Sequence, residues 1–206
     1  MNRLIAIIVL VVGIAAGLLL AVGRGGPDEP AAEVPRAATV LPEPVPLPEF
    51  SLVDQRGETR TRAFFTGAWH LLFFGFTNCP DVCPTTLATL STVTKTLRDQ
   101  GATDVPGIVL VSVDPERDTP TRLAEYIAYF GADNAALTGN ETAVRELTEP
   151  LGIYFSKVPL GDDDYTVDHS SVVLLVNPAG EFAALFSGPL EVSDLVHDLP
   201  LLTGAS

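Results

Sequence analysis

From Leu4 to Val22 the chain runs without a charged residue, long enough to cross a hydrocarbon core as a helix. The run exceeds the roughly 7–15 apolar residues of a cleaved secretory signal, so residues 1–24 are expected to be an uncleaved, single-pass membrane anchor. Proline then recurs at positions 27, 30, 35, 42, 44, 46 and 48, which works against helix and ladder alike. Residues 25–49 therefore read as an extended, Pro-rich linker, and the folded domain is expected over 50–206.

Within that domain the periodicity alternates between buried strands and amphipathic helices. Phe50–Val53 followed by Asp54-Gln55-Arg56-Gly57 reads as a short strand and turn. Trp69–Phe76 is a continuous apolar and aromatic run, the pattern of a strand covered on both faces. From Pro84 the spacing turns helical, with Leu87, Leu90, Val93, Thr94 and Leu97 on one face and Gly101 as the stop. Ile108–Val113 is the next buried strand, and Asp118 or Thr119 caps a helix opening at Pro120 and running to Phe130. Glu141–Leu151 predicts a third helix, followed by a polar loop around Gly161-Asp162-Asp163-Asp164. Val172–Val176 and Glu181–Phe186, joined by Asn177-Pro178-Ala179-Gly180, form a hairpin, and Val192–Leu201 a last helix. The order β-α-β-α-α-β-β-α is that of an α/β sandwich of thioredoxin type.

Composition narrows the function without naming it. The 206 residues are 47% apolar, enough for one ordinary core. A net charge of −14 excludes nucleic acid as a partner, because phosphate contacts need clustered Lys and Arg. Arg3 and Arg24 flank the apolar run and do not decide its orientation by charge.

The chain has two cysteines, in Cys79-Pro80-Asp81-Val82-Cys83-Pro84, where the first long strand meets its helix. A helix amino terminus favours thiolate, the form that attacks disulfides and ligates metals. The pair is compatible with a structural disulfide, a redox dithiol or two metal ligands. A staple over so short a loop gains little, and a thioredoxin would have two residues, not three, between its cysteines. Thr77 without an accompanying proline does not make a peroxidatic site.

Three segments in order now match a known family. Gly75-Phe76-Thr77-Asn78-Cys79-Pro80-Asp81-Val82-Cys83-Pro84, Val111-Ser112-Val113-Asp114-Pro115-Glu116-Arg117-Asp118-Thr119-Pro120 and Val167-Asp168-His169-Ser170 resemble the motifs of the SCO/SenC copper chaperones, which take part in assembling cytochrome c oxidase. The resemblance covers nearly the whole chain and implies an anchor, a linker and a thioredoxin-like domain. It further implies that Cys79, Cys83 and His169 ligate copper, and that the partners are the copper-site subunit of the oxidase, an upstream copper donor and a thiol reductant.

Two soft thiolates with one imidazole suit copper in both oxidation states, Cu(I) and Cu(II). Zinc would normally need a fourth protein ligand, for which Asp81 and Asp168 are the nearest in sequence. Asp168 is instead expected to orient His169 or adjust the local charge. His70 and His197 read as structural or exposed, and Asp162–Asp164 as a solvated loop. Cys79 and Cys83 are also the reactive pair if the protein acts as a thiol-disulfide reductase. A dithiol site belongs to an exported domain, here facing the periplasm from the inner membrane.

Overall fold

The computed structural model describes residues 33–161 and 164–204. The expected anchor and the first part of the expected linker lie outside them; among the described residues no helix is long and apolar enough to cross a membrane. In chain order the strands are β1 (Ala38–Pro46), β2 (Leu52–Asp54), β3 (Thr59–Arg60), β4 (His70–Gly75), β5 (Gly107–Ser112), β6 (Ala135–Thr138), β7 (Phe155–Gly161), β8 (Asp164–His169), β9 (Val173–Val176) and β10 (Glu181–Phe186). The α-helices are α1 (Val82–Asp99), α2 (Pro120–Ala128), α3 (Glu141–Thr148) and α4 (Val192–Thr203).

Eight strands form one sheet in the order β1-β10-β9-β4-β5-β6-β2-β3. Its centre is parallel, β4 with β5 and β5 with β6, while β9 closes antiparallel on the other side of β4. Leu71, Leu72, Phe73 and Phe74 of β4 and Ile108 to Val111 of β5 are buried without alternation, as strands covered on both faces must be. On α1 the buried side chains are Cys83, Leu87, Leu90, Val93, Thr94 and Leu97, the apolar stripe expected from the sequence with the second cysteine at its head. Thr119 caps α2 by accepting from the Arg122 amide at 3.3 Å, with Pro120 at the first helical position.

Four elements differ from the sequence reading. The presumed linker contributes β1, which pairs antiparallel with β10, and Leu47 behind it is fully buried. This strand lies at the sheet edge and its register breaks between Val40 and Val45, around Pro42 and Pro44, so the missing N–H groups cost no ladder bond. The packed domain thus begins well before Phe50. The third helix stops at Thr148; Pro150 sits in a 3-10 turn over Glu149–Leu151, and Gly152 at φ 71° ends it. The short β6 carries Ala135-Ala136, too weak a pattern to announce a strand. Finally, the polar stretch after Phe155 is a hairpin, β7 with β8, forming a two-stranded sheet of its own.

The entry into β1 is fixed by one buried carboxylate. Asp198 of α4 accepts the backbone N–H groups of Arg36, Ala37 and Ala38 at 2.7, 2.8 and 2.9 Å, and His197 Nδ1 lies 2.9 Å away. Burial opposes its ionisation, but these donors, His197 first, hold its pKa below the usual carboxylate range. A depressed carboxylate pKa stabilises the fold above the unfolded value of about 3.9 and the gain is lost as pH falls through the folded value. Asp198→Ala is therefore expected to lower unfolding stability by about 2–3 kcal/mol near neutral pH, measured by denaturant titration, and to leave a smaller acid-induced loss than in the parent protein.

Candidate metal and thiol site

The site is built where β4 gives way to α1. Gly75 ends β4 because there is no space for more: a Cβ there would lie 2.9 Å from both Cys83 Sγ and a Phe73 ring carbon. The chain then turns through Phe76 to Asp81, and α1 starts at Val82, two residues earlier than Pro84 suggests. Cys83 thus lies in the first helical turn, fully buried, and Cys79 on the loop above it, half-buried. Both are free thiols, and the Cys83 amide points at Cys79 Sγ at 3.4 Å.

His169 reaches the cysteines from the far side. It is the last residue of β8 and pairs with Phe155 across the β7–β8 hairpin. Its Nε2 stands 3.5 Å from Cys83 Sγ, and its ring meets Phe73 and Phe76 edge-on with centroids 6.3 and 5.8 Å away. Nδ1 lies 3.1 Å from the Ser170 carbonyl oxygen. A carbonyl only accepts, so Nδ1 carries a proton, and Nε2 is the nitrogen that faces the sulfurs. The ligand atoms of Cys79, Cys83 and His169 all fall within 4.8 Å of one another.

The two thiols are electrically unlike. Cys79 is pushed down to about 4, chiefly by the Cys83 thiol donating to its sulfur, with help from His169 and the amides of Cys83 and Asp81 and against its partial burial. Cys83 is held far above the usual thiol range, because its proton is shared with Cys79 and it is buried. The pair is therefore biased toward a thiolate at the half-buried Cys79 and a thiol at the buried Cys83.

The loop after β5 ties both halves of the site together. The fully buried Asp118 accepts from the Thr77 amide at 3.0 Å, the Thr77 hydroxyl at 2.6 Å and the Ser112 hydroxyl at 2.7 Å, fixing the turn that leads to Cys79. Arg122 donates to Thr77 Oγ1 at 2.7 Å and to Asn78. Asp114, also fully buried, takes Arg117 Nε on one oxygen at 2.5 Å and the Tyr165 hydroxyl on the other at 2.7 Å. Arg117 donates further to the Tyr165 carbonyl at 2.9 Å and stacks over its ring at 3.8 Å.

A family model described as SCO1/SenC matches residues 42–203, most of the chain. The chain belongs to the SCO1/SenC family. It is 32% identical over 202 residues to an SCO2-like protein of Rickettsia conorii, covering 95% of this chain and 96% of that one. Among solved structures, it is similar to ScoI of Arabidopsis thaliana with copper bound, at TM-score 0.71 and 33% identity over 74% of this chain and 94% of that one. Apo Sco1 of Thermus thermophilus gives TM-score 0.72 and 34% identity over 84% and 99%. The thioredoxin-like α/β fold is shared with these structures.

In this SCO1/SenC protein neither acidic neighbour of the site bonds through its carboxylate to Cys79, Cys83 or His169. Asp168 is exposed and no hydrogen bond joins it to His169, since adjacent strand residues point to opposite faces; the Ser170 carbonyl orients the ring instead. Asp81 stands at the head of α1, takes a long 3.4 Å bond from the Thr85 hydroxyl and serves Cys79 through its backbone amide. His70 packs on Phe64 and Phe65, and His197 pairs with Asp198, both away from the cysteines. Sequence reasoning gave Ser112, Tyr165 and Arg122 no part in the site, weighed Thr77 only against a peroxidatic site, and offered Asp118 or Thr119 as the cap that Thr119 supplies.

In the reduced metal-free protein, an alkylating reagent at about pH 6, well below the ordinary thiol range, is expected to label Cys79 and spare Cys83. Cys83→Ala removes the donor that stabilises the Cys79 thiolate and should slow that labelling severalfold, as followed by peptide mass spectrometry. Equal labelling of both cysteines in the parent protein would contradict this arrangement.

Proposed function

We propose that this protein is a membrane-anchored copper chaperone that delivers copper to the binuclear copper centre of cytochrome c oxidase during assembly. Copper would be held by Cys79 Sγ, Cys83 Sγ and His169 Nε2. The observation that carries the reading is the convergence of those three atoms within 4.8 Å, with His169 Nε2 already turned toward the sulfurs. Soft thiolates hold Cu(I), and the nitrogen keeps Cu(II) accessible. Asp81 and Asp168 are not part of that group, so among the described residues the set lacks the fourth protein ligand typical of structural zinc. An incomplete shell suits a cargo that has to leave. The uncharged run Leu4–Val22 would tether the domain to the inner membrane with the site facing the periplasm. An upstream donor would load it, and a thiol reductant would keep the cysteines open.

A second activity is favoured by the unequal thiols. The half-exposed Cys79 thiolate would attack a disulfide in the receiving copper site, releasing one partner thiolate and forming a mixed disulfide. Cys83 would then give up its proton and displace the second partner sulfur. Cys79 and Cys83 end oxidised as a disulfide, and the partner gains two electrons and two reduced sulfurs ready for copper.

The test is to titrate the reduced protein with Cu(I) against a competing chelator and then mix the loaded form with the apo copper domain of an oxidase subunit. One tight copper per chain, lost on Cys79→Ser or Cys83→Ser and appearing in the oxidase domain after mixing, is the expected result. Weak binding together with rapid reduction of a disulfide in that domain would leave thiol exchange as the function.

A further inference from the structure

The β7–β8 hairpin carries His169 but belongs to no larger sheet. An isolated two-stranded hairpin is marginal in water, so something outside its ladder must fix where its end lies. Its outer face offers little, since Val158 and Leu160 are exposed. Its inner face, through the cross-strand pairs Phe155–His169, Lys157–Val167 and Pro159–Tyr165, turns toward the loop after β5.

We propose that Asp114, Arg117 and Tyr165 form a brace that positions His169 for copper, so that the nitrogen ligand is held in place by residues four or more positions away from it in the chain. The inference rests on the copper reading above. Asp114 is the fixed point, fully buried at the end of a central strand and bonded through its own amide to Ser112 Oγ at 3.1 Å. Arg117 is gripped by that carboxylate and in turn grips Tyr165 two ways, by the carbonyl bond and the stacked ring, while the Tyr165 phenol donates to Asp114 itself. Lys157 on the paired strand adds a 2.5 Å contact to Glu116 of the same loop, though this pair is solvent-exposed and contributes little. Tyr165 and His169 lie on the same face of β8, two side-chain repeats apart, so movement at one end of the strand is felt at the other. Cys79 and Cys83 depend on a different anchor, Asp118 through Thr77. The nitrogen and sulfur ligands are therefore held by different carboxylates of one loop, and the brace touches only the hairpin that carries the nitrogen.

The experiment uses the full-length protein with Arg117→Gln, Tyr165→Phe, His169→Ala and the double variant Arg117→Gln/His169→Ala. Amide hydrogen exchange on the metal-free proteins is expected to show β8 opening about tenfold faster in Arg117→Gln, with β4 and β5 unchanged and a smaller effect in Tyr165→Phe. Cu(I) affinity should stay within about twofold of the parent, because the sulfurs are undisturbed. Cu(II) affinity should fall about tenfold with loss of the nitrogen signature in electron paramagnetic resonance, and the double variant should bind Cu(II) no worse than His169→Ala. Unchanged β8 exchange would overturn the brace, as would an Arg117→Gln penalty on Cu(II) equally large with and without His169. If Arg117→Gln fails to fold, Tyr165→Phe decides by the same two readouts. A parent protein that binds no copper overturns the copper reading instead, and the exchange data on metal-free protein still judge the brace.

Discussion

Two buried carboxylates on a single loop hold this site in register. Asp114 and Asp118 follow directly from β5, the middle of the parallel strands, and neither is exposed. A charge in such a place is costly unless every oxygen is satisfied, and here the partners that satisfy them belong to the site. Asp118 is bonded by Thr77 and Ser112, Asp114 by Arg117 and Tyr165. Removing either carboxylate would free a different wall of the site. The cost of burying the charges is thus offset by contacts that also fix the cysteine turn and the histidine hairpin.

The chemistry follows from how unequally the fold treats the two thiols. Gly75 lets Cys83 sink against β4, where sharing with Cys79 and then burial keep its proton on, while Cys79 stays half-buried beneath two backbone amides and the Cys83 thiol. A half-buried thiolate backed by a buried thiol is poised to accept a soft cation or to attack a disulfide, and His169 adds a nitrogen donor from the opposite side. Metal delivery and thiol exchange draw on the same asymmetry, which is why one site supports both readings.

The parts of the fold legible in the sequence are those that packing imposes on both sides. The unbroken apolar runs of β4 and β5, the stripe on α1 and the caps of α2 all stand where the pattern places them. Elements held by polar contacts escaped notice. β7 is largely exposed and β8 buries only Val167 fully, so neither announces a core strand, and their inner-face partners lie some fifty residues away, as Tyr165 does from Asp114. β1 is hidden by prolines that an edge strand tolerates. The three residues that converge in space were named from motif order, but the reason they converge was not visible. An aspartate before Pro120 looks the same whether it caps its own helix or reaches across to Thr77.

The most direct test of the account is X-ray absorption at the copper edge of the loaded protein, first reduced and then oxidised. Two sulfur scatterers in both states, joined in the oxidised state by one imidazole nitrogen that His169→Ala removes, is the result the geometry predicts. A shell of nitrogen and oxygen without sulfur, or an imidazole contribution that survives His169→Ala, would contradict a copper site made from Cys79, Cys83 and His169.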